Sequence, residues 1–465
     1  MRGVSVESDF MAPSAARPPL PPGPYLVVGL ARSGVAAAVT LRARGERVYG
    51  TDTRTPPDAG RLADLGVELQ LDGDGTQLLD NVKTLIKSPG VPAEAPVIAA
   101  ARERGLDVIG ELELGWRLLP NRFLAVTGTN GKTTVTEWLG HTLRQAGVET
   151  AVAGNVGTPL ASMDASLDPE ATVVCECSSF QLEDSVAFAP EVAVLLNVTP
   201  DHLDRHGTLA AYAEAKLRIF SNQTTEDTAI VDADDAIVGQ VALPGEAIRE
   251  PYGIDACVDE QRCFVSYADG EIRDGGGVLV RADELPLAGE HNIRNAMAVA
   301  AAALAAGTDR ALVSHGLRTF GGVPHRLERV REVDGVVYVN DSKATNVAAA
   351  AAALEAFGSG VHAILGGSLK GGDFAELRPA VTAHCAACYL IGDATAQLRA
   401  DLEATGVPLH DSGDLASALE AATAAAVPGE TVLLAPACAS FDQFRDYEDR
   451  GDTFRELVTA LGTGS

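Results

Sequence analysis

One segment constrains the fold of this chain more than any other: an apolar run that leads through a glycine-rich loop into a helix. Residues 123–128 form a buried-type strand, residues 128–134 read Gly-Thr-Asn-Gly-Lys-Thr-Thr, and a helical pattern begins at Thr133. Glycines let backbone N–H groups point at phosphate oxygens, and the helix amino terminus adds a positive dipole. The segment predicts a nucleotide-binding α/β domain in which Lys132 contacts the phosphates and the Thr133 hydroxyl reaches Mg²⁺.

The loop departs from the full G-x-x-x-x-G-K-[ST] pattern, because Val126 stands where the first glycine belongs. The alternative is a glycine-rich turn with one exposed lysine, but the strand before it and the helix after it favour nucleotide binding. The residues expected to contact the nucleotide here are Gly128, Thr129, Asn130, Gly131, Lys132, Thr133 and Thr134. Such a loop alone leaves motor, kinase, transporter and ligase open.

Lysine is rare in this chain, and its positions are informative. Only six of the 465 residues are lysine, against thirty arginines. Four of the six lie in short segments that carry chemistry: Lys132, Lys216, Lys343 and Lys370. Arginine is planar and always charged, so retained lysines indicate places where a compact ammonium or a modifiable amine is needed. Lys83 and Lys87 have no catalytic interpretation at this stage.

Bulk composition excludes several classes of protein. The net charge of −28 argues against non-specific binding to nucleic acid or to anionic membranes. No apolar stretch reaches the roughly 18 residues needed to span a bilayer. Residues 1–24 carry Glu7 and Asp9 and lack the apolar core of a signal peptide. We therefore expect a soluble cytoplasmic protein that neither inserts into membranes nor binds nucleic acid.

The seven cysteines are expected to be reduced, buried thiols. Cys385-x-x-Cys388 has the spacing of half a zinc site, but no second pair stands at ligand spacing. Structural thiols are the favoured interpretation.

Short apolar strands alternate with alanine-rich helical stretches, beginning with strands at residues 25–29 and 47–52. This pattern predicts three α/β domains in series. The predicted division is a disordered tail over 1–22, a Rossmann-like domain over 23–110, a central P-loop ATPase-like domain with a mostly parallel sheet over 111–322, and a Rossmann-like C-terminal domain over 323–465. In the first domain Ala31 replaces the second glycine of a dinucleotide fingerprint, so that signal is weak.

From Gly128 onward the chain resembles the Mur ligases, the ATP-dependent ligases that build the peptide of bacterial cell-wall precursors. Their central loop has the same shortened glycine pattern. Five further segments carry the resemblance in matching order: Glu176-Cys-Ser-Ser-Phe-Gln-Leu-Glu183, Asn197-Val-Thr-Pro-Asp-His-Leu-Asp-Arg-His206, Pro324-His-Arg326, Asn340-Asp-Ser-Lys-Ala-Thr-Asn346 and Pro436-Ala-Cys-Ala-Ser440.

The resemblance implies an amide ligase, and the five segments together most resemble those of the family member that joins D-glutamate to UDP-N-acetylmuramoyl-L-alanine. In that reaction ATP phosphorylates the carboxylate of the UDP-linked substrate, and the D-glutamate amine attacks the acyl phosphate. The resemblance implies ATP, two Mg²⁺ ions and a carbamate that CO₂ forms on Lys216. We expect a monomer, and a hinge near Gly321-Gly322 that lets the third domain close on ATP.

The resemblance also implies the roles of individual residues. Lys132, Glu176, His202, Lys216 and Lys343 are the expected catalytic residues, and Thr133, Glu176, His202 and Lys216 the expected metal-binding set. Taken alone, a helix lysine such as Lys216 is a surface group. A carbamate would turn it into a planar oxygen ligand suited to Mg²⁺. Glu176 directly follows a buried-looking strand, where an unpaired carboxylate is costly.

The remaining expected contacts fall into three groups. On the nucleotide they are Asn292, Asn295, Arg326 and Asp341. On the UDP-muramoyl substrate they are Arg32, Ser33, Asp52, Thr53, Arg54, Ser88, Gly90 and Asn155. On D-glutamate they are Thr345, Lys370, Ser440 and Tyr447, the last at a position where phenylalanine is common in the family.

Three alternatives stay open at the level of sequence. Another amide ligase, such as a glutamate-adding folate enzyme or a different step of the same pathway, would share the phosphate loop. A nicotinamide oxidoreductase could use the first domain, although Ala31 weakens that interpretation. A non-catalytic binding protein could retain the fold, but the intact Lys132, Glu176, His202 and Lys216 argue against it.

Overall fold

The structure, a computed structural model, describes residues 17–155, 157–163, 167–257, 263–287, 289–369 and 373–461, and leaves the Asp204 side chain undescribed. The chain forms two compact units, one up to Phe320 and one from Gly321 onward. The first unit carries two β-sheets and the second carries one.

The first sheet is wholly parallel, in the order β3-β2-β1-β4-β5. Its strands are β1 (Tyr25–Val28), β2 (Val48–Asp52), β3 (Glu68–Leu71), β4 (Thr84–Lys87) and β5 (Asp107–Gly110). Its helices are α1 (Arg32–Ala43), α2 (Ala59–Asp64) and α3 (Pro96–Glu103), and α4 (Glu111–Leu118) follows β5. Alternate residues of β1 pack into different clusters, Val27 on one face and Leu26 on the other. Both faces are therefore covered, as parallel sheets require.

The second sheet has the order β14-β13-β12-β11-β10-β9-β6-β8-β7. Its strands are β6 (Arg122–Thr127), β7 (Thr150–Gly154), β8 (Thr172–Glu176), β9 (Val192–Leu195), β10 (Thr228–Asp232), β11 (Ile248–Gly253), β12 (Val265–Ala268), β13 (Glu271–Asp274) and β14 (Gly277–Arg281). Its helices are α5 (Lys132–Gln145), α6 (Ser179–Leu182), α7 (Leu203–His206), α8 (Leu209–Leu217), α9 (Glu290–Ala305) and α10 (Arg310–Thr319). Only the β12-β13-β14 edge pairs antiparallel among the described strands of this sheet.

The sheet of the second unit has the order β15-β16-β20-β17-β18-β19, with β15 antiparallel to β16. Its strands are β15 (Glu328–Val333), β16 (Val336–Asn340), β17 (Val361–Gly366), β18 (Cys385–Ile391), β19 (Leu409–Gly413) and β20 (Thr431–Leu434). Its helices are α11 (Val347–Glu355), α12 (Arg378–His384), α13 (Thr395–Leu402), α14 (Leu415–Ala425) and α15 (Tyr447–Ala460).

Two expectations differ from the structure. Residues 17–22, which fall in the predicted disordered tail, are placed: the Arg17 guanidinium donates to the Trp116 carbonyl at 2.7 Å and lies 4.9 Å from the Trp116 ring centroid. Cys257 and Cys263 form a disulfide, so the expectation that all cysteines are reduced is wrong for this pair. Residues 1–16 lie outside the described part of the chain. Within that part, no helix is long and apolar enough to cross a bilayer.

Candidate active site

The glycine-rich loop joins β6 to α5 at the carboxyl edge of the second sheet. Gly131 caps α5 with a left-handed backbone (φ 84°), and a Cβ there would stand 2.6 Å from Asn295 Oδ1, so only glycine fits. Gly131 offers no side-chain acceptor to the first turn of the helix. Helix amino termini leave their first N–H groups without intrahelical partners, and these groups bind anions.

Two lysines converge on one carbonyl of this loop. The Gly128 carbonyl accepts from Lys132 Nζ at 2.9 Å and from Lys216 Nζ at 2.7 Å. Lys216, on α8, is 1% exposed, and its ammonium lies 4.4 Å from the Tyr212 ring centroid. Burial, with the nearby Lys132 charge as the next cause, lowers the pKa of Lys216 to about 7. A neutral amine is therefore accessible at physiological pH, unlike that of an exposed surface lysine.

Glu176, at the end of β8, presents a carboxylate to the same region. Its Oε1 accepts from Asn155 Nδ2 at 3.0 Å. Its buried Oε2 has no hydrogen-bond partner among the described residues. A buried carboxylate oxygen without a partner is costly unless a cation or donor completes it. The arrangement fits a hard divalent cation such as Mg²⁺.

His202 stands apart from these contacts. It is an exposed residue in a left-handed conformation (φ 49°), and its ring lies 5.0 Å from the Phe180 ring centroid and 6.4 Å from that of Tyr212. Asp201 accepts from the backbone N–H of His202 at 2.8 Å, while its other oxygen lies 3.6 Å from the ring Nε2. No group of three or more His, Cys, Asp and Glu side chains in the described ranges could hold a metal ion. The expected metal set contains only two residues of these types.

Helix α9 brings the two expected asparagines to the loop. Asn295 Nδ2 donates to Asn292 Oδ1 at 3.1 Å. The Asn295 amide oxygen is the atom nearest to the position that a Cβ on Gly131 would take. The pair therefore lies beside the amino terminus of α5, where a bound nucleotide would be.

A separate cavity of about 520 Å³ opens between the first and second sheets of the first unit. All eight residues expected to contact the UDP-muramoyl substrate line it: Arg32, Ser33, Asp52, Thr53, Arg54, Ser88, Gly90 and Asn155. Gln181 also lines it, although sequence analysis did not single it out. The signal was available, because Ser178 and Gln181 form a capping box at the start of α6.

Backbone contacts at the ends of β1, β2 and β4 shape this cavity. A Cβ on Gly34 would stand 1.9 Å from the Gly29 carbonyl oxygen, so α1 can approach β1 this closely only with glycine. The Ser88 hydroxyl donates to the same carbonyl at 2.6 Å. Asp52 accepts from the Leu30 N–H at 2.7 Å and from the Arg54 N–H at 3.1 Å, which fixes the loop after β2.

The second unit carries its expected residues on loops at one end of its sheet. Asp341 is buried after β16, and its carboxylate accepts from the Leu327 N–H at 3.1 Å. Burial raises the pKa of Asp341 to about 6, against the opposing effects of Arg326 and Lys343. Arg326 is exposed, and the Lys343 N–H donates to the His325 carbonyl at 3.0 Å.

Arg450, which sequence analysis missed, holds these loops together. Its fully buried guanidinium donates to the hydroxyl and carbonyl of Ser342, both at 2.9 Å, and to the Cys438 and Ala439 carbonyls at 3.2 and 3.3 Å. Burial lowers the pKa of Arg450 to about 10. These loops carry Thr345 and Ser440, and Tyr447 is the first residue of α15, the helix that also carries Arg450; Lys370 lies outside the described residues.

The glycine-rich loop at the amino terminus of α5 lies beside a buried carboxylate, and a cavity opens elsewhere in the same unit. This combination is typical of a nucleotide-dependent enzyme of the P-loop class. Three family descriptions match in order: "Mur ligase MurD-like, N-terminal domain" over 24–110, "Mur ligase middle domain" over 126–303, and "Mur ligase, glutamate ligase domain" over 325–438. The chain is 42% identical over 457 residues to the UDP-N-acetylmuramoylalanine--D-glutamate ligase of Acidobacterium capsulatum, covering 94% of this chain and 96% of that one. The corresponding ligase of Geobacter metallireducens is also 42% identical, over 452 residues that cover 94% and 98%.

The chain belongs to the Mur ligase family. Solved structures agree on the fold: UDP-N-acetylmuramate-alanine ligase from Thermotoga maritima has a TM-score of 0.54 at 20% identity, covering 94% of this chain and 99% of that one. The D-alanyl-D-alanyl-adding ligase from Acinetobacter baumannii has a TM-score of 0.51 at 19% identity, with 90% and 85% covered. The predicted resemblance, the three-domain α/β architecture and the assignment as a ligase are confirmed.

Proposed function

We propose that this chain is an ATP-dependent ligase that adds D-glutamate to UDP-N-acetylmuramoyl-L-alanine, releasing ADP and phosphate, in peptidoglycan precursor synthesis. One observation carries the chemistry: Lys132 and Lys216 meet at the Gly128 carbonyl, beside a buried Glu176 oxygen that lacks a partner in the described chain. Near full-length similarity to D-glutamate ligases supports the choice of substrates.

In the proposed first step the substrate carboxylate attacks the γ-phosphate of ATP, and ADP leaves. The first-turn N–H groups of α5 and the Lys132 ammonium bind the phosphates and stabilise the charge that spreads over them during transfer. Asn292 and Asn295 border the nucleotide on the α9 side. Arg326, Asp341 and Lys343 are further nucleotide-binding residues in this proposal.

Glu176, Thr133 and His202 are the proposed metal-binding residues, together with Lys216 as its carbamate. Mg²⁺ neutralises phosphate charge when it is bound. The unpartnered Glu176 oxygen fits this role. Carbamylation needs a neutral amine: Lys216 Nζ attacks the carbon of CO₂, an N–C bond forms, and one proton leaves to solvent. A Lys216 pKa of about 7 supplies that amine at physiological pH.

In the proposed second step the D-glutamate amine attacks the acyl phosphate, phosphate leaves, and an amide remains. We assign the D-glutamate carboxylates to Thr345, Lys370, Ser440 and Tyr447. The UDP-muramoyl part occupies the cavity of the first unit, where Arg32 and Arg54 supply positive charge. UDP-linked precursors and ATP are cytoplasmic metabolites, so we place the reaction in the cytoplasm. We also propose that the enzyme acts as a monomer.

Phosphate release provides the test. Purified protein should release phosphate when ATP, Mg²⁺, UDP-N-acetylmuramoyl-L-alanine and D-glutamate are all present. Replacing D-glutamate by L-glutamate or meso-diaminopimelate should abolish the release. Activity with either replacement but not with D-glutamate would assign the chain to another amide ligase, and NAD(P) binding by calorimetry would favour an oxidoreductase instead.

A further inference from the structure

One buried lysine takes no part in the proposed reaction. Lys87 is the last residue of β4, directly before the Ser88-Pro89-Gly90 segment that lines the cavity, and its side chain is 0% exposed. Its ammonium bonds Asp184 Oδ2 at 2.5 Å. Asp184 follows α6, 97 residues further along the chain, and its side chain is 2% exposed. An ion pair this deeply buried needs close geometry to offset its desolvation.

Asp184 is joined to the first sheet at a second point. The Gly110 N–H, at the end of the neighbouring strand β5, donates to the Asp184 carbonyl at 3.3 Å. Lys87 and Gly110 are register partners in the sheet. A Cβ on Gly110 would stand 3.1 Å from the Asp184 Cβ, so the two segments pack closely. Arg102 on α3 adds a second cation, 3.7 Å from Asp184 Oδ1.

The other end of the cavity-lining segment, residues 88–91, is also linked by hydrogen bonds to the region around Asp184. The Val91 N–H closes a turn onto the Ser88 carbonyl at 3.0 Å, and the Val91 carbonyl accepts from Arg205 Nη2 at 3.1 Å. Arg205 also lies 3.4 Å from Glu183, the residue before Asp184. Residues 88–91 are therefore held at one end through Lys87, which pairs with Asp184, and at the other through Arg205, which also contacts Glu183.

We propose that Lys87 and Asp184 are a positioning pair for the substrate cavity. Their ion pair sets the distance between the wall formed by residues 88–92 and the wall formed by Asn155 and Gln181. The pair touches no reacting atom, so it acts on the affinity for the uridine diphosphate part of the substrate. This inference rests on the proposed function, because it assigns that ligand to the cavity.

The test compares Lys87→Met with Lys83→Met. Methionine is close in length to lysine and carries no charge, and Lys83 is an exposed lysine at the start of the same segment, which makes it the matched control. We expect Lys87→Met to weaken UDP binding in calorimetry, and to raise KM for the UDP-linked substrate, by about tenfold. KM for ATP and for D-glutamate should stay within about twofold of the wild type, because the geometry of the phosphate loop does not depend on the cavity. Lys83→Met should match the wild type throughout.

A second variant separates positioning from stability. Lys87→Met combined with Asp184→Leu removes both charges, and buried ion pairs replaced by apolar side chains commonly keep or regain stability. We expect the melting temperature of the double variant to recover toward the wild type while UDP binding stays about tenfold weaker. A folded double variant that binds UDP as tightly as the wild type would overturn the proposal. So would equal rises in KM for all three substrates, or a double variant that does not fold.

Failure of the proposed function has a different signature. Wild-type protein that neither binds UDP nor releases phosphate with D-glutamate contradicts the function and this inference together. Wild-type protein that does both, alongside a Lys87→Met variant of unchanged affinity, contradicts this inference alone.

Discussion

One fully buried lysine, Lys216, lies beside the phosphate loop, and another, Lys87, directly precedes the cavity-lining segment that begins at Ser88; the two lysines differ in their partners. Lys87 is 0% exposed and pairs with the Asp184 carboxylate at 2.5 Å. Lys216 is 1% exposed and bonds a carbonyl that Lys132 shares, while the Glu176 carboxylate keeps an oxygen without a partner in the described chain.

The difference separates structure from chemistry. A cation and an anion that satisfy each other contribute fixed geometry and leave nothing for a ligand. A buried amine next to a second amine is unfavourable as a cation, so burial lowers its pKa to about 7. The Lys87 charge is therefore satisfied by its own partner, whereas the Lys216 site favours a neutral amine. Four experiments test this contrast.

Lys132→Met should have the largest effect. Removing the phosphate-binding ammonium should lower kcat/KM by about 1,000-fold, as for the loss of a charge-stabilising donor in other enzymes. Phosphate release measures it. The melting temperature should stay near the wild-type value, because Lys132 is part-buried and donates to the Gly128 and Thr129 carbonyls of its own loop. A large loss of stability would show that this region is structural.

Lys87→Met should lower stability as well as the affinity for UDP. It leaves the Asp184 carboxylate buried with Arg102, 3.7 Å from Oδ1, as its remaining cation among the described residues, so the free energy of unfolding should fall by about 3 kcal/mol. Urea unfolding at pH 7 measures the change, with Lys83→Met as the control. An unchanged urea midpoint would mean that the ion pair only offsets its own desolvation. The proposed difference between the paired Lys87 and Lys216 would then be wrong.

Lys216→Arg should keep the positive charge but lower the activity by about 100-fold, because a guanidinium cannot form a carbamate. Lys83→Arg is the matched control for a lysine-to-arginine change. Short carboxylates such as formate or acetate should partly restore Lys216→Ala. Wild-type activity in Lys216→Arg would remove the carbamate from the mechanism.

The pH dependence of stability should show the smallest effect. The folded-state pKa of Lys216 is about 7, below the ordinary lysine value, so the unfolded chain binds more protons above that pH. Stability should therefore rise with pH from about 7 toward 9, by about 1 kcal/mol per pH unit when CO₂ is excluded. Lys216→Met should lack this rise. A wild-type slope equal to that of the variant would place the Lys216 titration outside this range.

Much of the fold follows from local pattern. The runs at 25–29, 84–87 and 431–434 are apolar and bounded by turn residues, and all are strands in the structure. The antiparallel edge β12-β13-β14 was not predicted, because its strands are only four or five residues long and too short to give a clear periodicity. Placement of residues 17–22 was also missed, since it depends on Arg17 meeting Trp116, which is 99 residues away.

The sequence by itself determined the glycine-rich loop and the family, because both depend on short segments whose residue types and order are readable directly, and the family resemblance then implied the eight residues around the cavity. Tertiary structure alone decided which lysine is paired. Lys87 and Asp184 are 97 residues apart, and Arg450 reaches Ser342 across 108 residues. Charge pairing depends on distance and dielectric after folding, and no local pattern encodes either.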